Sequence, residues 1–189
     1  MARMNFGPVE SELIPGARNA VETCLAVQPG ENVVLIADEA SRVVAASLAY
    51  ALDARGAVGV GFLLEDLAQR PLDHAPREVL DGLAKADAGI LCVQPQIGEL
   101  TARREIVGMV ERRQIRYAHM VGVTPAIMQQ GMRADYHQVD RLSDRLRERM
   151  GTARSLRVRT EAGTSFAASF DSSLDWIKTS GLISPRYWS

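Results

Sequence analysis

The sequence predicts an α/β protein: a doubly wound, mainly parallel sheet of about four strands flanked by helices, followed by a β-hairpin. Three observations lead there. Four short apolar runs, residues 33–37, 58–64, 89–93 and 116–121, suit strands buried on both faces. Between them, apolar residues recur at helical spacing, and strand–helix alternation of this kind builds a parallel sheet with right-handed crossovers. Past Thr152 the pattern changes to two short alternating strands around Glu161-Ala162-Gly163, within residues 156–170.

The elements follow in order. A first helix covers about residues 15–27, and Pro29-Gly30-Glu31-Asn32 turns the chain into the first strand. Over residues 41–55, Val44, Leu48, Ala51 and Leu52 share a helical face, and Gly56 stops that helix. After the second strand, Pro71 and Pro76 mark a loop. The next helix buries Val79, Leu80 and Leu83 and leads to the third strand. Residues 101–113 form a helix with Ile106, Met109 and Val110 inward, and the fourth strand follows. Thr124-Pro125 pairs a hydroxyl cap with proline at the first helical position. Asp135, three residues before Gln138, opens the last helix, whose stripe is Val139, Leu142, Leu146 and Met150.

Two domains are expected: residues 1–151 as a Rossmann-like α/β domain, and residues 152–189 as a hairpin with an aromatic tail. The tail carries Trp176, Ile177, Leu182, Ile183, Tyr187 and Trp188. A two-stranded ribbon is marginal alone, and an aromatic cluster of this size needs a surface to pack on. The second segment is therefore expected to begin an incomplete further domain.

At 189 residues and 47% hydrophobic content, the chain can bury a sizeable core. The 22 basic and 23 acidic residues are interspersed and leave a net charge of −1, so neither nucleic acid nor an anionic membrane is expected as a partner. Arg103, Arg104, Arg112, Arg113, Arg116, Arg141, Arg145, Arg147 and Arg149 alternate with Glu105, Glu111, Asp140, Asp144 and Glu148, the pattern of solvated helices. The N-terminus lacks the apolar core of a signal peptide, and no run approaches the length of a membrane span. Cys24 and Cys92 lie in apolar segments, as a reduced pair does in a cytoplasmic protein, the expected location.

In open α/β sheets ligands bind beyond the carboxyl ends of the strands. The residues placed there are Asp38 and Glu39, Glu65 and Asp66, Gln94 and Gln96, and Thr124. No glycine-rich phosphate loop or P-loop lysine accompanies them, and Asp38-Glu39 would repel an anion. The carboxylates are read first as helix-cap and first-turn residues. His74, His119 and His137 show no zinc-ligand spacing on one helix, no nucleophile-elbow serine occurs, and neither cysteine has an evident histidine partner. No catalytic, cofactor-binding or metal-binding residue is assigned from the sequence.

The stretch Thr160-Glu161-Ala162-Gly163-Thr164-Ser165-Phe166, followed by Asp175-Trp176 and Gly181-Leu182-Ile183, is similar to a hairpin of the thermophilic-type metallo-aminopeptidase (leucyl aminopeptidase-like) family. Along the whole chain the order of elements resembles the N-terminal half of that family, which also includes dihydroxypyridine dioxygenase relatives. The resemblance implies an α/β domain beside a catalytic domain, a dimer, and a divalent metal (zinc, cobalt or iron) in the complete protein, acting on a peptide or a small aromatic substrate. The family's metal ligands lie beyond the matched region, so none transfers to a position here. The expected function is the N-terminal portion of a metal-dependent aminopeptidase-like protein, inactive alone. A mononuclear-iron aromatic-ring dioxygenase portion and a self-sufficient binding or dimerisation module are the alternatives.

Overall fold

A computed structural model describes residues 4–171, 173 and 175–185. Four parallel strands, β1 (Asn32–Ala37), β2 (Val58–Leu63), β3 (Ala88–Cys92) and β4 (Arg116–His119), form one sheet in the order β2-β1-β3-β4. The register aligns Val33 with Gly59 on one side and with Ala88 on the other.

Helices cover both faces, as the uninterrupted apolar character of the strands requires. On one face pack α1 (Ile14–Arg18), α2 (Arg42–Ala54) and α6 (Pro125–Gln129). On the other lie α3 (Leu64–Leu67), α4 (Arg77–Leu83) and α5 (Leu100–Arg113). The strand period of two divides the core accordingly. Val33, Leu35, Ala37, Ile90 and Cys92 join the α1/α2 side, while Val34, Ile36, Leu91 and Val93 join Val79, Leu83, Ile106 and Val110 opposite.

The doubly wound parallel sheet matches the fold class read from the sequence, with local differences. The first helix does not run evenly to Val27. After Arg18 it widens into a π-helical segment, Asn19–Cys24, and Ala26 closes it with a positive φ of 51°. Leu64 leaves the second strand to begin α3, a single turn. The fourth strand stops at His119, although the Met120 and Gly122 amides still reach the β3 side, at Leu91 and Val93 carbonyls. Gly16 lets α1 approach α6 closely, since a Cβ there would lie 2.2 Å from the Met128 carbonyl oxygen.

The chain divides into two compact units, Met1–Ala134 with Gly181–Ser189, and Asp135–Ser180. The second unit holds α7 (Tyr136–Met150), capped by Asp135 through the Gln138 amide at 3.0 Å, and an antiparallel hairpin of β5 (Ser155–Arg159) and β6 (Ser165–Ser169). Between these strands Thr160 and Thr164 close the turn through a 2.9 Å backbone bond and a 3.2 Å bond to the Thr160 hydroxyl, with Gly163 at φ 96°. Turn chemistry thus accounts for the threonines and glycine of the motif. Of the tail, Trp176 stacks edge-on against Phe170 at 4.9 Å, and Ile183 packs on the core of the first unit, its amide bonded to the Cys24 carbonyl at 2.9 Å. Tyr187 and Trp188 lie outside the described residues.

Candidate functional site

From β1 the chain steps outward to β2 and then returns to β3 on the other side of β1. The topological switch point therefore lies between the carboxyl ends of β1 and β3, where an open α/β sheet offers a ligand crevice. Asp38 leaves β1 and Gln94 follows β3 at this point.

Asp38 is fully buried. Its Oδ1 accepts the Ser41 amide at 2.8 Å, while the Asp38 amide donates to Ser41 Oγ at 3.3 Å, a reciprocal cap on the turn into α2. Its Oδ2 accepts hydrogen bonds from the Gln94 amide at 2.7 Å and from Arg70 Nη1. Ser41 Oγ also contacts the Cys92 carbonyl, so β1, β3 and the start of α2 are fastened at one place.

Arg70 fills the crevice. Its side chain comes from the loop after α3 and is only 4% exposed. Nε donates to Glu99 Oε1 at 2.7 Å and Nη2 to Glu99 Oε2 at 2.6 Å, and Nη2 also reaches the Gln94 carbonyl at 2.9 Å. Glu65 approaches Nη1 at 3.5 Å. Glu99, itself buried, accepts the Leu72 amide at 3.1 Å and so pins the same loop a second time.

Burial opposes the charge on Asp38, but hydrogen bonds from Ser41, Arg70 and Gln94 outweigh it and hold the carboxyl below its ordinary value. Glu99 is depressed in the same way, burial being overcome by Arg70 and the Leu72 amide. Arg70 is raised, first by its hydrogen bond to Glu99. All three groups are charged at neutral pH. Nothing in this set is poised to exchange a proton near neutrality, and its polar atoms are spent on one another. It is built as a lock.

The other residues singled out in the sequence fall around this lock. Glu65 accepts the Glu39 amide at 3.0 Å, and Arg42 grips Glu39 at 2.6 and 2.9 Å. The Gln94 side chain donates to the Val123 carbonyl at 2.6 Å, Gln96 is exposed in its loop, and Thr124 caps α6 through the Ile127 amide at 3.3 Å. Asp66 lies in the single turn of α3. Arg70 and Glu99, the centre of the arrangement, carry no sequence signal. A loop arginine and a glutamate preceding a helix are ordinary until the fold brings them together.

His74 is exposed and pairs through Nδ1 with Glu105 Oε1 at 2.7 Å, while Glu105 Oε2 accepts the Ala75 amide at 2.8 Å. His119 ends β4, where burial first and the Arg103 charge second push its pKa down, and His137 lies in the first turn of α7. Among the described residues no three His, Cys, Asp or Glu side chains are grouped as metal ligands. The described side chains form no centre that fits the divalent metal implied by the resemblance. Burial pushes both cysteine thiols up to about 12, far from the range of a reactive thiolate.

Among the arginines read as solvated, Arg116 differs. It is largely buried, donates to the Leu25 and Ala26 carbonyls at 3.0 and 2.7 Å, and pairs with Glu31, clamping the end of the first helical segment to the start of β4. A cleft of about 520 Å³ lies between the segment around Phe6, the α2 residues Ala49, Tyr50 and Asp53, and the start of β2 at Gly59. That is the amino end of the strand, opposite to where this fold class binds ligands. Among the described residues no helix is long and apolar enough to cross a membrane.

No family model matches the chain, and no curated protein matches it. Among solved structures, wild-type AmpT from Thermus thermophilus aligns with a TM-score of 0.50 at 14% identity, covering 77% of this chain and 50% of AmpT. The aligned part of the chain covers about half the length of AmpT. At this identity the likeness shows the fold alone.

Proposed function

We propose that the chain is the N-terminal, non-catalytic portion of a metal-dependent aminopeptidase-like protein. The observation that carries this is the extent of the shared fold: 77% of the chain aligns with half of AmpT. The proposal takes AmpT to be one of the thermophilic-type aminopeptidases that the hairpin sequence resembles. A scaffold role fits the lock at the switch point, where Arg70 occupies the crevice in which an independent α/β enzyme would hold its ligand. Under this proposal the metal ligands and the peptide-binding groups belong to the other portion, and the α/β unit supplies a rigid wall.

A chimera tests it. The half of AmpT that aligns with this chain is replaced by residues 1–189, and metal content and aminopeptidase turnover are measured beside AmpT lacking that half. Recovery of metal binding and turnover in the chimera, with neither in the shortened AmpT, is the expected result. A folded chimera that binds metal but shows no peptidase activity above that of the shortened protein would count against the proposal.

A further inference from the structure

β2 is an edge of the four-stranded sheet, and part of its backbone is unspent. The Val58 amide donates to the Glu31 carbonyl at 2.8 Å, which sets the phase of the parallel pairing with β1. Val58, Val60 and Phe62 then use both backbone groups on β1, and the N–H and C=O of Gly59 and Gly61 point away from the sheet. Among the described residues neither glycine has a backbone partner on that outer side.

This edge lacks the usual protection. Native edges are shortened, bulged, covered, or marked with proline or charge, because an open row of donors and acceptors templates a further strand. The opposite edge, β4, is four residues long and carries Arg116. β2 has six residues with neither proline nor charge, and residues 58–62 are all partly exposed.

Gly59 and Gly61 belong to the α2 face of β2, since Val60 and Phe62 pack with the opposite core. The missing side chains leave space there. Phe6 takes the part over Gly61, where a Cβ would lie 2.7 Å from its ring. Beside Gly59 the cleft of about 520 Å³ stays open, walled by Met4, Phe6, Ala46, Ala49 and Tyr50. A strand laid along β2 directs the residue opposite Gly59 toward this cleft, because directly paired residues share a face.

We infer that β2 binds an extended peptide segment of another protein as an additional strand, with a large apolar side chain of that segment in the cleft. The row of free backbone groups decides the form of the occupant. An extended backbone offers donors and acceptors at strand spacing, whereas a helix has used its own internally. The uncharged strand and the mainly apolar cleft walls decide its composition. Strand addition at β2 does not depend on the aminopeptidase proposal, and either can fail without the other.

The test selects a phage-displayed library of random octapeptides on the immobilised full chain. The selected peptides are expected to alternate apolar with polar residues. They should also shift the Gly59 and Gly61 amide resonances and slow their hydrogen exchange, which is fast in the free chain, while Val60 is protected in both states. Methylating the peptide's backbone nitrogens one at a time separates strand addition from other modes. Alternate positions should lose affinity by about tenfold or more, and those between them by less than about twofold. Aspartate in place of the side chain opposite Gly59 should abolish binding. Failure to select a binder, peptides that shift amides elsewhere, methylation effects without alternation, or binding that survives the aspartate would each overturn the inference. So would slow exchange at Gly59 and Gly61 in the free chain, including protection that rises with protein concentration, the mark of edge-to-edge pairing with a second copy.

Discussion

Arg70 and Glu99 meet fork to fork, Nε to Oε1 at 2.7 Å and Nη2 to Oε2 at 2.6 Å, both nearly excluded from water. The pair holds the loop after α3 across the carboxyl ends of β1 and β3, and Asp38 completes it from below. A guanidinium in this position is costly to bury and is retained because three strand ends and two helix starts converge on it.

Removing the guanidinium leaves two carboxylates buried without a counter-charge. Arg70→Met is expected to destabilise the fold by about 3–5 kcal/mol. Arg70→Lys keeps the charge, loses the two-pronged geometry and falls between the wild type and Arg70→Met. Urea unfolding followed by circular dichroism measures both. A loss below about 1 kcal/mol for Arg70→Met, the range of an exposed pair, would mean that the lock is ornamental.

The same lock gives the stability a pH dependence of definite sign. Asp38 and Glu99 have depressed pKa values in the folded chain, so they bind protons more weakly folded than unfolded. Their contribution is complete above the unfolded carboxylate range, near pH 4, and is lost as the pH falls through the lower folded values. Below about pH 5 the urea midpoint should drop, with a shallower acid limb in Asp38→Asn. Equal acid limbs in the two proteins would remove Asp38 from the explanation.

His74 titrates the other way. Its hydrogen bond to Glu105, and then that carboxylate's charge, raise the imidazole's pKa. The contact contributes fully below the unfolded histidine value, near 6.5, and fades as the pH rises through the raised folded value. Following the ring protons by NMR should show His74 titrating above the ordinary histidine value, and Glu105→Gln should return it toward that value. An unchanged midpoint in the variant would show that the pair does not form in solution.

Gly59 holds the β1–β2 pairing by having no side chain. It sits at φ 150°, and a Cβ there would come within 1.9 Å of the Val33 carbonyl oxygen on the neighbouring strand. Gly59→Ala is expected to cost about 3 kcal/mol or more, since strain and overpacking act together. Thermal unfolding measures it, and a midpoint within a degree of the wild type would contradict the pairing of Gly59 with Val33.

The sheet was legible because its information is local. Apolar runs such as Val33 to Ala37, the Thr124-Pro125 start and the Asp135–Gln138 cap each specify an element from neighbouring residues. Asp38 was legible in part: a carboxylate after a strand announces a cap, and Ser41 confirms it. The rest of the lock was not legible, because Arg70 and Glu99 are 29 positions apart and acquire meaning only when the sheet order places their loops together. Arg116 was hidden for the same reason, its acceptors lying some 90 residues away. In α7 the periodicity identified the helix correctly, yet a stripe says only that a face is apolar, not what covers it.

The most direct measurement is equilibrium dialysis of the purified 189-residue chain against zinc, cobalt and ferrous iron, with the bound metal counted and leucyl-peptide turnover assayed on the same samples. The expected result is less than stoichiometric metal and no turnover above the buffer. One tightly bound metal per chain with peptide cleavage would contradict it, and would mean that residues of this chain itself form the catalytic centre.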